Sequence, residues 1–154
     1  VLYADNKPDK LYTQQEKREV KLITKDTDYA VKALSCISVL KKKNVTVKNL
    51  ACELGISGPF LRKILQTLNK KGILDSSKGK TGGFSMAADP DKISILDIME
   101  IFQGPFHLNE HKIKGKTCKF LKTCLLKRSL DGIESRVRED LKTLTISHLI
   151  KRGE

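Results

Sequence analysis

Thr46-Val-Lys-Asn-Leu-Ala-Cys-Glu-Leu-Gly-Ile-Ser57 runs directly into Gly58-Pro-Phe-Leu-Arg-Lys-Ile-Leu-Gln-Thr-Leu68, and how these two segments read decides the fold. Val47, Leu50, Ala51 and Leu54 recur at steps of three and four, so one face of a short helix is apolar. Thr46 stands where an N-cap belongs, and Gly55 stands where a left-handed stop is needed, with Ile56 turning into the core beyond it. Ser57 caps a second helix, and Pro59 falls in its first turn, where no amide donor is missed. That helix buries Leu61, Ile64, Leu65 and Leu68 and shows Phe60, Arg62, Lys63, Gln66 and Lys70 on its other faces, until Gly72 ends it. Two helices in this order predict a helix-turn-helix whose second member offers its first turns to base edges and phosphates.

A hairpin follows. Ile73 to Ser77 reads as a short strand, Lys78-Gly-Lys-Thr-Gly-Gly83 as a turn, and Gly83 to Met86 as the returning strand. Glycines let such a tip approach a backbone closely, and Lys78 and Lys80 bring positive charge suited to phosphates or a minor groove. The expected DNA contacts are therefore Ser57, Phe60, Arg62, Lys63 and Gln66 on the helix and Lys78 and Lys80 on the wing. The competing reading is a winged-helix protein-interaction module whose lysines are merely solvated; inability to shift any duplex at low salt would favour it.

The composition agrees with a nucleic-acid partner. A net charge of +12 on 154 residues calls for a polyanion. Aromatic residues are 5% of the chain and Trp is absent, so Leu, Ile and Val must form the core. No apolar run reaches the length of a membrane span and no signal-peptide pattern opens the chain, which places it in the cytoplasm. In that compartment four cysteines point to thiols or metal ligands before structural disulfides. No nucleophile-base-acid set, P-loop or metal-hydrolase spacing is present, so the sequence does not read as an enzyme.

Four segments result: a polar N-terminal extension at 1–20, a winged helix-turn-helix at 21–104, a cysteine-bearing sensor loop at 105–127, and a dimerisation helix with its tail at 128–154. Residues 22 to 40 form the first helix, with Thr24 as cap and Ala30, Ala33, Leu34, Ile37 and Leu40 as the buried stripe. Cys36 and Cys52 lie within helices and read as small packing thiols. Ser94 and Asp97 make a capping box for a helix that ends at Gly104-Pro105. Between Phe106 and Leu126 no period is visible. Leu130, Ile133, Val137, Leu141 and Leu144 then restore a helical period with a single apolar seam, which suggests a partner helix supplied by a symmetric dimer. The fold class is mainly α, a winged helix-turn-helix with a small β-hairpin wing and a long C-terminal dimerisation helix.

In order along the chain, Thr24-Lys-x-x-Asp-Tyr-Ala30, Leu50-Ala-x-x-Leu-Gly-Ile-Ser57, the Gly-x-x-Gly-Gly wing, a loop with cysteines and a long final helix closing on Leu149-Ile150 resemble the Rrf-two family of winged-helix transcriptional regulators (IscR/NsrR/CymR-like). The resemblance covers about residue 21 to residue 150. It implies a homodimer bound to double-stranded DNA at an imperfect palindrome, with Phe60, Arg62 and Lys63 at reading positions and Lys78 at the wing's minor-groove position. It also implies that the loop senses redox, iron–sulfur or nitric-oxide status.

Many members hold an iron–sulfur cluster there on three cysteines, each separated from the next by five residues. Cys118 and Cys124 supply one such interval; the missing cysteine would fall at Lys112, beside His111. The resemblance makes Cys118 and Cys124 metal ligands, with Asp28 of the other subunit and one of His107, Glu110 or His111 as candidates for the remaining places of a 2Fe–2S centre. Lys32 stands where some members carry a histidine ligand. Three readings of the cysteine pair stand side by side: ligands of a labile cluster, a redox-active thiol pair flanked by Lys116, Lys119 and Lys122, or a cluster-free loop with control by a partner protein or a metabolite.

Overall fold

The computed structural model describes residues 21–40, 44–79, 82–108, 112–113, 116–117 and 123–151. Helices α1 (Lys25–Leu40), α2 (Val47–Leu54) and α3 (Gly58–Lys70) precede a hairpin of β1 (Leu74–Ser77) and β2 (Gly83–Met86). A 3-10 turn (Pro90–Lys92) leads to α4 (Ile95–Gln103), a second small hairpin of β3 (Lys112–Ile113) and β4 (Lys116–Thr117), α5 (Leu125–Thr143) and α6 (Ile146–Lys151). The architecture is thus mostly helical with a winged helix-turn-helix at its centre.

The local chemistry of the two central helices follows their sequence. Thr46 takes an extended conformation and its hydroxyl accepts from the Asn49 amide, while Gly55 closes α2 at φ +63°, where a side chain would be strained. Leu50 and Ile56 are buried on either side of that stop. On α3 the stripe Leu61, Ile64, Leu65 and Leu68 is almost wholly removed from water. Truncating any of these to alanine would cost about 2–5 kcal/mol. Ser57 occupies the N-cap position of α3, but its side chain makes no capping hydrogen bond. The helix runs to Lys70, and Gly72 follows at φ +73°.

The wing is held closer to the helices than a free hairpin would be. Beyond the pairing of Leu74 with Met86 through Ser77 with Gly83, Val45 forms an antiparallel bridge to Phe84 with amide–carbonyl distances of 2.8 and 2.9 Å. A Cβ on Gly83 would stand 2.5 Å from the Val45 carbonyl oxygen, and one on Gly82 the same distance from the Ser77 carbonyl oxygen. The glycine pair is therefore demanded by close approach of backbone to backbone. Asn69 donates to the Leu74 carbonyl at 2.7 Å and ties the end of α3 to the start of the wing.

The first helix differs from its expected stripe at both ends. Leu40 is 40% exposed, whereas Thr27 is fully buried. The Thr27 hydroxyl donates to Gln103 Oε1 at 2.7 Å, and Gln103 Nε2 donates to the Leu22 carbonyl at 3.1 Å, so one glutamine at the end of α4 anchors the start of α1. Thr24 is the cap, its hydroxyl accepting from the Thr27 amide at 3.4 Å. The Ser94–Asp97 capping box on α4 is formed in both directions at 3.1 Å.

The largest departures lie after α4. The stretch without a readable period contains the β3–β4 hairpin, too short to show alternation. Helix α5 begins at Leu125, five residues before the restored period, with Cys124 as its N-cap. Its seam is also divided. Val137, Leu141 and Leu144 pack on this chain's own core, while Leu125, Leu126 and Ile133 stand 74%, 63% and 42% exposed. Leu144 and Ile146 bracket the start of α4 through backbone bonds of 2.8 Å from Ile95 and 3.0 Å to Ile93, and Ile146 is fully buried, so the tail packs back on the body. Among the described residues no helix is long and apolar enough to cross a membrane.

Candidate nucleic-acid interface

The candidate contact residues of α3 divide by face. Arg62, Gln66 and Lys70 follow one another at four-residue intervals and line one wall of an open groove of about 730 Å³. The opposite wall is the wing, from Ser76 to Gly79 with Gly82 and Gly83. Among the described residues, three cations, Arg62, Lys70 and Lys78, border this groove, and no carboxylate lines it. The field inside it is therefore positive, at the width left between a helix and a hairpin. Lys63 is exposed on the adjacent face of α3, outside the groove. Ser57 is exposed at the head of the helix with its hydroxyl uncommitted to a cap. Lys80 lies outside the described residues.

Phe60 differs from its expected setting. It is half-buried and meets the Tyr29 ring edge-on, with centroids 5.7 Å apart and planes at 82°. The sequence offers a weak signal for this pair: Tyr29 is the sole aromatic residue on α1, and Phe60 the sole aromatic on α3. The linear sequence does not mark Lys70, Ser76 and Ser77 as contacts, although their place on the groove is plain once helix and wing are set side by side.

Asp28 is held by the Lys32 ammonium at 2.8 Å, one helical turn away, with both side chains about half exposed. The hydrogen bond to Asp28 raises the Lys32 pKa above its ordinary value. Cys124 caps α5, its Sγ accepting from the Lys127 amide at 3.4 Å. Burial, with the Glu53 charge second, pushes the Cys36 thiol up, which suits a packing role, whereas Cys52 is exposed rather than semi-buried. Cys118 and His111 lie outside the described residues.

A family model described as Rrf2, iron-dependent transcriptional regulator, matches residues 23–152. The chain belongs to the Rrf2 family. A putative HTH-type transcriptional regulator of Aquifex aeolicus is 33% identical over 82% of this chain and 89% of its own length. The regulator NsrR of Shouchella clausii is 27% identical over 83% of this chain and 87% of its own. Among solved structures, CymR of B. subtilis, described as its global cysteine regulator, superposes with a TM-score of 0.69 at 22% identity, over 88% of this chain and 100% of that one. T. potens IscR superposes at 0.68 and 22% identity, over 88% of this chain and 89% of that one. These last two likenesses are likenesses of fold. With its family, the chain is a DNA-binding regulator of transcription, and not an enzyme.

The Rrf2 family includes regulators that carry iron–sulfur clusters, and such a group needs several ligands from the protein. Among the described residues no group of three or more His, Cys, Asp or Glu could hold a metal ion. Cys124 is the one described cysteine of the expected ligand set, and Asp28 is engaged by Lys32. The described residues do not complete a cluster site.

Proposed function

We propose that this Rrf2 protein is a cytoplasmic, sequence-specific regulator that binds an imperfect palindrome as a homodimer. The observation that carries the reading is the groove between α3 and the wing, bordered by Arg62, Lys70 and Lys78 with no carboxylate among the described residues that line it. A phosphodiester strand fits its charge and shape, with the wing tip reaching onward to a minor groove. Ser57, Arg62, Lys63 and Gln66 then face the major groove, with Phe60 packed against Tyr29 behind them, and Lys78 and Lys80 belong to the wing contact. Two such heads read half-sites about 34 Å apart, one helical turn of DNA.

The dimer is supported by α5. None of its residues is buried within one chain; its exposed Leu126 and Ile133, seven residues apart, continue the seam beyond the part the core uses, with exposed Leu125 beside them. In this reading residues 105–127 are the sensor segment and residues 128–154 the dimerisation helix and tail.

We assign sensing to Cys118 and Cys124, as reactive thiols or as two ligands of a 2Fe–2S cluster completed from elsewhere, with Asp28 and His111 the candidates. The place of Cys124 at the N-cap of α5 supports this, because chemistry at its sulfur removes a helix cap and so acts on the helix that joins two subunits. A cluster-free protein controlled by a partner or metabolite is the second reading, favoured by the Lys32–Asp28 pair that occupies the candidate acid.

Two measurements test these assignments. Fluorescence anisotropy on a duplex selected from a random pool, repeated across salt concentrations, should show Arg62→Ala and Lys78→Ala each flattening the salt slope by about one unit. An unchanged slope removes both residues from the phosphate contact. Anaerobically purified protein should carry iron, sulfide and visible absorbance if the pair ligates a cluster, and the Cys118→Ala, Cys124→Ala double variant should be colourless. A coloured double variant would overturn the ligand assignment, and a colourless wild type leaves the thiol reading to be tested by alkylation.

A further inference from the structure

The first turn of α3 is unusually short of local anchors. Its N-cap serine makes no capping bond, and Gly58 and Pro59 bring no side chain able to supply one. Leu61 holds the turn from the core, fully buried. From the side it is held by Phe60 against Tyr29, in the edge-on arrangement that the aromatic quadrupole favours. Tyr29 is itself constrained. Lys32 places its ammonium over the same ring, 5.7 Å from the centroid, and Asp28 fixes that ammonium at 2.8 Å. Asp28, Lys32, Tyr29 and Phe60 thus form a continuous run of contacts from the surface of α1 to the head of α3.

We propose that Tyr29 is a positioning residue for sequence reading. Through Phe60 it sets the direction in which the first turn of α3 presents Ser57, Arg62 and Lys63, without itself touching DNA. The inference rests on the DNA-reading role proposed above. Base-edge hydrogen bonds need side chains placed to a fraction of an ångström, whereas the attraction of cations to phosphates tolerates small rotations. Loosening this brace therefore weakens recognition of the chosen sequence and leaves general DNA binding alone.

The test uses the full chain, a duplex enriched from a random pool by the wild-type protein, and a scrambled duplex of equal length. Tyr29→Leu should bind the enriched duplex about tenfold more weakly, the scale of one edge-to-face contact expressed as affinity. Its binding to the scrambled duplex and its salt slope should match wild type. Tyr29→Phe keeps the ring and should restore wild-type discrimination, and Tyr29→Leu with Phe60→Leu should be no worse than the more affected single variant, since the two act as one contact. A Tyr29→Phe loss as large as that of Tyr29→Leu would mean that the hydroxyl touches the partner, and overturns the proposal. Equal losses on both duplexes, or none on either, overturn it as well. If the wild-type protein enriches no sequence at all, the reading role fails and the brace falls with it; enrichment with an unaffected Tyr29→Leu removes the brace alone.

Discussion

At Gly83 a single hydrogen decides whether the wing can reach the body of the protein. The Val45 carbonyl oxygen lies 2.5 Å from where a Cβ would be, and that carbonyl accepts the Phe84 amide at 2.9 Å. Gly83→Ala therefore forces the bridge apart, at about 1–3 kcal/mol for an overpacked site. Its melting temperature should fall by several degrees, and its scrambled-duplex affinity should fall too, because the wing no longer borders the groove. At Gly132, by contrast, an added Cβ would meet open space. Gly132→Ala should raise helix stability by roughly 1 kcal/mol, and a melt that moves downward would contradict this. The sequence marks Gly83 as part of a turn and Gly132 as part of a helix, but not which backbone lies against either. What separates them is whether another strand passes within contact, and Val45 is 38 positions away from Gly83 along the chain.

Legibility at the scale of elements follows the same division between near and far. The α2–α3 pair is readable because its caps, stop and apolar stripe are all local signals, and each of Thr46, Gly55, Leu50 and Leu61 is found as its residue type suggests. The β3–β4 hairpin and the first turn of α5 are not, since two-residue strands have no period and Leu125 and Leu126 are adjacent apolar residues with no buried face to mark. Nor can the sequence show the clamp that α5 places on the end of α4. Glu134 accepts the Leu108 amide at 2.9 Å and meets His107 Nδ1 at 3.0 Å; one turn on, Arg138 donates to the Phe106 carbonyl at 3.2 Å and to Glu100 at 2.9 Å. The Leu108 amide holds the Glu134 carboxyl below the usual glutamate range against the opposing effect of burial, and His107 and Arg138 lower it further by lesser amounts. A carboxylate with a lowered folded-state pKa contributes stability above its unfolded value and loses it as pH falls through the folded one. Glu134→Gln should therefore be less stable than wild type at neutral pH, by a fraction of a kcal/mol for a contact at the protein surface whose histidine partner is largely exposed, and the difference should close as the pH falls through and below the carboxylate range. Chemical denaturation at a series of pH values checks this, and a gap that widens in acid would show that the charge is not what holds residues 106–108.

At the scale of the whole molecule, the parts of α5 that the core uses and the parts it leaves out lie on one helix. Val137, Leu141 and Leu144 are fastened to α4 and the core, so the C-terminal half of α5 moves with the reading head. Leu125, Leu126 and Ile133 extend beyond it into solvent, on the half that begins at Cys124. In the proposed dimer, a helix half fastened and half free would act as a lever between the proposed sensor segment at its N-terminus and the head at its C-terminus, provided that a second copy covers the free half. Leu126→Asp with Ile133→Asp places charge on that free half without entering the core, and should leave the melting transition of the isolated chain largely intact while converting dimer to monomer in sedimentation equilibrium. Losing the second head removes the effective-concentration advantage of two linked sites, which is worth about 10²–10⁴ in affinity. The variant should therefore bind a full palindrome no better than a single half-site. A variant that remains dimeric, or a monomer that still prefers the full palindrome by a large factor, would show that the two heads are joined through some other surface.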